Sequence, residues 1–288
     1  MIEIGSIAID LINESQIMAD AGGPFGLVPS LLWSRHYDQD DQYRVPMHHI
    51  NLLVRTGGRT IIVDTGNGTR IPENRAAAMM LQHPEGGLVQ ALANRGVKPE
   101  DVDLVINTHL HSDHCSTNTQ PDGSGGFMPT FPNAEYVVQY REYADAMFPN
   151  ERTRGTYFKE NYHPLVESGH MRLLKGDEVI VPGIRGVVTP GHTPGHQSIL
   201  FESEGQVGLF VADMASFAIH FAKLAWMTAY DVEPLVTLET KRKWQRWALE
   251  HDALLIFQHD PKTYAGRLAE DERGKLRVEP VLTPESAG

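Results

Sequence analysis

The sequence predicts a mixed α/β fold in one domain spanning residues 1–288, and three observations carry that expectation. Short apolar runs rich in Val, Ile and Leu recur along the chain, each bounded by Gly, Pro or Asp, as strands are. Stretches with helical spacing lie between them. No internal repeat and no low-complexity linker interrupts the chain.

The first element, Met1–Leu11, alternates apolar and polar residues through Ile2, Ile4, Ile7 and Ile9 and predicts a first strand. Further strands are expected at Ile50–Val54, Thr60–Val63, Val102–Asn107, Tyr136–Gln139, Gly186–Val188, Ser198–Phe201, Val207–Val211 and Leu254–Phe257. Gly87–Asn94 places Leu88, Ala91 and Leu92 on one helical face before a stop at Gly96. Pro234–Glu250 has Pro in its first turn and Leu235, Leu238, Trp244, Trp247 and Ala248 at near-helical spacing. Arg141–Tyr162, rich in aromatic and charged residues, predicts a helical cap on the sheet or a pocket wall. Asp122–Gly126 is a Gly-rich loop without the Lys-Ser/Thr of a phosphate loop. Thr263–Val281 reads as a hairpin turning at Asp271-Glu272-Arg273-Gly274.

Composition narrows the function. Lys and Arg number 25 against 37 Asp and Glu, a formal charge of −12. That balance disfavours a protein that grips nucleic-acid phosphates or an anionic leaflet. The absence of a long apolar run and of a basic signal-peptide start makes a cytoplasmic protein the expectation. One cysteine cannot form an intramolecular disulfide or a thiol-rich metal site. Fourteen histidines stand out. A chain of this length buries about 75% of its unfolded surface and needs no metal merely to fold.

The strand Val102–Asn107 runs into Thr108-His109-Leu110-His111-Ser112-Asp113-His114. Alternate residues of an extended segment share a face, so His109 and His111 can reach one ion, while Asp113 and His114 can point to a second. Three more strand-like runs end at a ligand-type residue: His192 after Gly186–Val188, Asp213 after Val207–Val211 and His259 after Leu254–Phe257. Ligands at the exits of separate strands can converge on one sheet edge.

The H-x-H-x-D-H run, the later P-G-H turn, the Asp and the last His resemble the metallo-β-lactamase superfamily. The resemblance reaches from Val63-Asp64-Thr65-Gly66 to His259. It implies an αββα sandwich with two divalent metal ions, Zn foremost, with Mn, Fe or Co also suited to N and O ligands. By motif position His109, His111 and His192 would hold one ion. Asp113, His114 and His259 would hold the other, Asp213 would bridge both, and Asp64 would orient the ligands from behind. A hydroxide shared by the ions would attack a carbonyl, with Asp113 handling its proton.

Within the superfamily the chain is most similar to lactonases related to quorum-quenching enzymes. The similarity lies in Gly23–Pro29 with Leu32-Trp33, in Phe131–Ala134, in Thr156–Asn161 and in Trp226–Pro234. This implies a small-molecule lactone substrate such as an acyl-homoserine lactone, and a homodimer as an option. Phe25, Leu27, Phe217, His220 and Trp226 are the expected substrate pocket, His220 being weighed equally as a core residue. Better-known relatives place a Tyr three residues after the bridging Asp, where this chain has Ser216. A phosphotriesterase or arylesterase on the same fold, or a non-catalytic metal-binding sensor, remains an alternative. Nuclease branches fit poorly with the acidity. His196 is expected to hydrogen-bond across its turn, and His48 and His49 to be structural or exposed because strand neighbours face opposite ways. Cys115 is expected to be a small packed residue.

Overall fold

A computed structural model describes residues 1–286. The N-terminal alternation forms two strands rather than one. Gly5, at φ +54°, turns β1 (Ile2–Ile4) back on β2 (Ile7–Asp20), and all four isoleucines stay buried on one face. After the short helix α1 (Ser30–Trp33) come β3 (Arg44–Thr56) and β4 (Arg59–Val63), then α2 (Glu73–Ala78), α3 (Leu88–Asn94) and β5 (Leu104–Ile106). Helix α4 (Ser112–Cys115) carries the end of the His-rich motif. A small hairpin, β6 (Thr119–Pro121) and β7 (Phe127–Pro129), holds the Gly-rich loop. The chain then adds β8 (Glu135–Gln139), α5 (Tyr140–Met147), α6 (His163–Glu167) and β9 (Met171–Leu174).

The second half begins with β10 (Glu178–Val181), β11 (Ile184–Val188), β12 (Gln197–Ser203) and β13 (Gln206–Phe210). Helices α7 (Ala218–Ala222) and α8 (Pro234–Glu250) lead to β14 (Leu254–Ile256), β15 (Ala265–Glu270) and β16 (Leu276–Leu282). The last two strands are the hairpin expected from the tail.

Two seven-stranded sheets result. One runs β1-β2-β3-β4-β5-β8-β9 and the other β10-β11-β12-β13-β14-β15-β16. Alternation sorts the side chains into layers, because successive strand residues point to opposite faces. Leu52, Val54, Ile61, Val63, Leu104 and Ile106 point inward and meet Ile199, Phe201, Phe210, Leu254 and Ile256 of the other sheet. Their neighbours Leu53, Ile62 and Val105 point outward beneath Leu88, Ala91 and Leu92 of α3. On the far side Leu200, Leu209 and Leu255 lie under Phe221 of α7 and Trp244 and Ala248 of α8. Helix, sheet, sheet, helix is the layer order of the expected αββα sandwich.

Helix α8 departs from its expected face. Leu235 is 78% exposed, whereas Thr237, Thr240, Lys241, Trp244, Gln245 and Ala248 are buried. The inward stripe is partly polar because it meets carbonyl groups. Lys241 Nζ donates to His220 O at 3.0 Å and also to Trp226 O, and Gln245 Nε2 donates to Phe221 O. These bonds satisfy main-chain acceptors at and beyond the end of α7, which cannot reach water.

The strand directions position the site. β4, β5 and β8 are mutually parallel, as are β13 and β14, and β11 is antiparallel to β12, which is antiparallel to β13. The C-terminal ends of β4 and β5, and those of β11, β13 and β14, therefore open along shared edges. Phe210 sits fully buried between the sheets at one such end. We expect Phe210→Ala to lower the unfolding free energy by about 3–5 kcal/mol, measured as a shifted urea midpoint of the metal-loaded protein.

Candidate metal centre

Each motif residue is placed by the end of a strand. β5 delivers Asn107 and Thr108 into the turn that carries His109 and His111, and α4 then lifts Asp113 and His114. β11 leads to His192, β13 to Asp213, and β14 to His259. Two residues at these exits, Asp64 and Ala212, adopt left-handed backbone at φ +55° and +48°. For Ala that conformation is strained, and such strain is held where the surrounding structure over-determines it.

The side chains from these separate strands converge. Ligand atoms of His109, His111 and His192 all lie within 4.8 Å of one another, as do those of His109, His114 and Asp213. His109 belongs to both groups, and Asp213 lies close to four of the histidines. Its Oδ2 is 3.1 Å from His192 Nε2, 3.5 Å from His114 Nε2 and 3.9 Å from His109 Nε2, and its Oδ1 is 3.0 Å from His259 Nε2. Asp113 Oδ2 stands 3.5 Å from His114 Nε2 and 3.9 Å from His259 Nε2.

A further layer fixes which ring nitrogen faces inward. Asp64 accepts from Thr108 N and Oγ1 at 2.8 and 2.7 Å, and from His114 Nδ1 at 2.9 Å. With its hydroxyl proton given to Asp64, Thr108 Oγ1 accepts from His109 Nδ1 at 3.1 Å. His192 Nδ1 donates to Asp231 at 3.0 Å, and His259 Nδ1 to His48 O at 2.8 Å. In all four imidazoles Nδ1 is engaged by the outer layer and Nε2 faces the centre. His109 Nε2 is buried with no partner among the described residues, and His192 Nε2 faces His111 Nδ1 at 3.0 Å. Ring nitrogens and carboxylate oxygens gathered across such gaps fit divalent cations, and outer carboxylates orient metal-bound histidines in this way.

Electrostatics point the same way. Burial pushes His111 down to about 3, with His192 adding to the effect, and drives His109 far below its usual range, so both rings are neutral. Against the opposing effect of burial, His259, His192 and His114 hold the Asp213 carboxyl far below the carboxylate range. Burial likewise opposes ionisation of Asp113, yet His114, His259 and His49 keep it ionised. Burial opposes protonation of His114 and His192 too, yet Asp113 and Asp213 raise the first far above its usual range and Asp213 and Asp231 raise the second, so the carboxylates draw positive charge into the centre.

Several participants were not legible in the sequence. His49, one of a pair expected to be structural or exposed, is 1% exposed and turns its Nε2 to within 3.7 Å of Asp113 Oδ2. Together with Asp113 and His259 it forms a third group with ligand spacing. His48 points away and meets Tyr264 Oη at 2.9 Å. Glu142 on α5 is fully buried and accepts from Leu110 N, Tyr157 Oη and Thr193 Oγ1. It thereby ties the His109–His111 turn to the His192 turn, while Tyr157 packs its ring against His111. His196 does span its turn, with Nδ1 against Thr189 Oγ1, and its Nε2 accepts the main-chain N–H of Asp213 at 3.1 Å. Ser216 donates to Asp213 Oδ1 at 3.2 Å, and Cys115 is buried against Leu110 O.

The residues expected to line a substrate pocket do not line the cavity nearest the candidate ligands. A cavity of about 230 Å³ opens over Asp113, His111, His192 and Asp213, and its walls include Ile17, Met47, Met79, Arg152, Tyr230 and Val232. Phe25, Leu27, Phe217, His220 and Trp226 are not among its lining residues. Phe25 stacks on Trp33 at 5.1 Å and contacts Phe217 and His220 at 5.2 and 5.0 Å, because flat rings gain more from one another than from an open wall. Trp226 packs in the same apolar cluster and Leu27 is exposed. His220 takes the core reading, with both ring nitrogens unpartnered among the described residues. The Arg141–Tyr162 segment serves as both cap and wall, since Arg152, Thr153 and Thr156 line the cavity while Tyr157 and Tyr162 are buried.

Comparison with known proteins agrees with the fold and the motif. The family model for the metallo-beta-lactamase superfamily matches residues 49–266. An N-acyl homoserine lactonase from a Bacillus species is 30% identical over 221 residues, covering 72% of this chain and 79% of its own. The structure of a probable metal-dependent hydrolase from Staphylococcus aureus superposes with a TM-score of 0.85 at 28% identity, covering 98% of this chain and 100% of that one. AidC, a dizinc quorum-quenching lactonase solved with a product, superposes at TM-score 0.80 and 17% identity, over 98% of this chain and 96% of its own. The chain belongs to the metallo-beta-lactamase superfamily. It is a metal-dependent hydrolase of that superfamily, and its curated relatives are lactonases.

Asp64 is the test of the outer layer. Asp64→Asn replaces an acceptor of three hydrogen bonds with an amide that must orient one N–H towards a donor. We expect metal affinity to fall by about 10–100-fold, measured by competition with a chromophoric chelator.

Proposed function

We propose that this chain hydrolyses the ring ester of a lactone at a centre of two divalent cations, with an acyl-homoserine lactone or a similar small molecule as substrate. The observation that carries the reading is the convergence of His192, His114, His109 and His259 on Asp213 beneath the cavity. His109, His111 and His192 would hold one cation, Asp113, His114 and His259 the other, and Asp213 would touch both. Zn suits these ligands best, and Mn, Fe or Co would fit the same donors. When bound, such cations would lower the pKa of water and polarise a carbonyl oxygen.

The chain's own residues orient the reactants and move protons. Asp113 is 28% exposed at the cavity floor and ionised, so it can take the proton of the attacking water and return it to the ring oxygen as that bond breaks. His49 beside it steadies the carboxylate. Ser216 is committed to Asp213 and supplies no donor to the substrate. Tyr230 offers a phenol from another wall. Burial pushes its pKa up to about 12, with Asp113 and Asp213 adding to the effect, so it stays protonated as a donor. Its hydroxyl lies against Gly23, where a β-carbon would collide with it. Ile17, Met47, Met79 and Val232 would take the apolar arm of the substrate.

The relatives named as N-acyl homoserine lactonases support the ester class over others. An arylester or phosphotriester would use the same proton path, and substrate breadth separates them. The deciding experiment combines metal analysis with a pH-stat screen of lactones, triesters and β-lactams. We expect about two metal ions per chain and turnover on lactones first. Fewer than one tightly held ion, or triester turnover with none on lactones, would overturn the reading. Asp113→Asn should lower kcat by about 10²–10⁴-fold, and full turnover in that variant would remove Asp113 from proton transfer. Tyr230→Phe should lower kcat/KM by about tenfold, the worth of one hydrogen bond, in steady-state assays on the preferred lactone.

A further inference from the structure

Away from the metal centre, a cleft of about 350 Å³ gathers positive charge on a chain whose net charge is −12. Lys223, Lys262, Lys275, Arg277 and His36 line it, and they come from four separate stretches of sequence. Lys223 follows α7, Lys262 follows the His259 turn, Lys275 and Arg277 belong to the C-terminal hairpin, and His36 lies beyond α1. Folding alone does not require five cationic or titratable side chains to face one space. Like charges brought together cost free energy unless something between them is negative.

The partners already present do not discharge the cluster. Arg277 pairs with Glu279 at 2.7 Å, and Lys262 approaches the fully exposed Asp38 at 3.8 Å. Among the described residues neither Lys223 nor Lys275 lies within ion-pair distance of a carboxylate. Lys223 Nζ instead sits 3.3 Å from His36 Nε2 and 3.8 Å from the centre of the Trp226 ring. Burial and mutual repulsion both weaken the basicity of these groups. His36 is lowered by burial first and then by Lys223, Lys275, Lys262 and Arg35, and Lys223 is lowered by burial and then by Lys275.

Beneath the cations the floor is apolar, formed by Ile219, Ala222, Leu276 and Val278. The volume lies in the range of small-molecule sites and is too small for a protein element. We propose that this cleft binds a small amphipathic anion. A phosphate or carboxylate would lie between Lys223, Lys275 and His36, with the hydrocarbon body against Ile219 and Leu276. The site is independent of the lactone reading, since none of these side chains faces the metal centre. A path between the two exists all the same. Tyr37, on the cleft wall, donates to Asp260, the residue after His259.

The metal-loaded enzyme is titrated calorimetrically with octyl phosphate, inorganic phosphate and octyl glucoside, and the Lys223→Ser/Lys275→Ser double variant is run in parallel. We expect octyl phosphate to bind at least about tenfold more tightly than either other compound, and the double variant to lose about tenfold or more of that affinity. Lactone turnover without octyl phosphate should be unchanged in the variant, which also reports that it is folded. An unchanged dissociation constant in the double variant would mean binding at the metal centre only, and would overturn the proposal. Equal binding of inorganic phosphate or of octyl glucoside would overturn the amphipathic or the anionic part. An NMR titration gives a second readout. Saturating octyl phosphate should raise the His36 pKa, because an anion beside it favours the imidazolium, and an unmoved His36 would likewise overturn the assignment.

Discussion

Asp213 is a carboxylate removed from water, and the site is organised around the need to compensate it. A buried ionised group is tolerated only when its oxygens are met by charge or by hydrogen-bond donors. Here His192 and His259 approach at 3.1 and 3.0 Å, Ser216 donates at 3.2 Å, and the main-chain N–H is tied to His196. Both approaching imidazoles are themselves backed, His192 by Asp231, which in turn accepts from Thr228 Oγ1, and His259 by a main-chain carbonyl. The polar groups behind the candidate metal ligands therefore form one connected network, in which loosening one member exposes the next. Glu142 closes the network on the other side, since a single buried carboxylate holds both the His109–His111 turn and the His192 turn.

The seven motif residues were legible because strand ends leave a plain signature: an apolar run stops and a ligand-type residue follows. The layers were legible for the related reason that period-2 alternation separates Leu52 and Val54 from Leu53. What stayed hidden depends on partners far away in sequence. Period 2 does say that His48 and His49 face opposite ways, but the β2–β3 register, with its irregularity between Asn13 and Ser15, decides which one meets Asp113. Glu142 and Asp231 lie on a helix and a loop and carry no spacing rule of their own. Proximity in sequence to Asp213 suggested a pocket at Phe217 and His220, yet α7 turns both away from the cavity. Leu235 shows the same lesson on a helix, where the buried stripe follows the carbonyl groups that need donors rather than hydropathy alone.

The aromatic cluster has a structural role of its own. Phe25, Trp33, Tyr37 and Phe217 join the segment after β2 to the start of α7, and Tyr37 adds a 2.8 Å hydrogen bond to Asp260. Asp260 also accepts from the main-chain N–H groups of Ala218, Lys262 and Thr263. One carboxylate thus pins the turn after His259 to the helix that follows Asp213. Packing that lines no part of the cavity over Asp213 still fixes the distance between Asp213 and His259.

The parallel pairing of β13 with β14 carries a consequence in time. A parallel pair needs a crossover, and here α7 and α8 supply it, so Asp213 leaves the ribosome well before His259 does. His259 is also far along the chain relative to Asp64 and His109. A nascent chain that has not yet delivered β14 exposes the first ligand group without the second, and any ion it captures sits in a half-built cradle. The order of synthesis therefore completes the candidate ligand set only when the second sheet closes, and the cavity over Asp113 is the opening left to it.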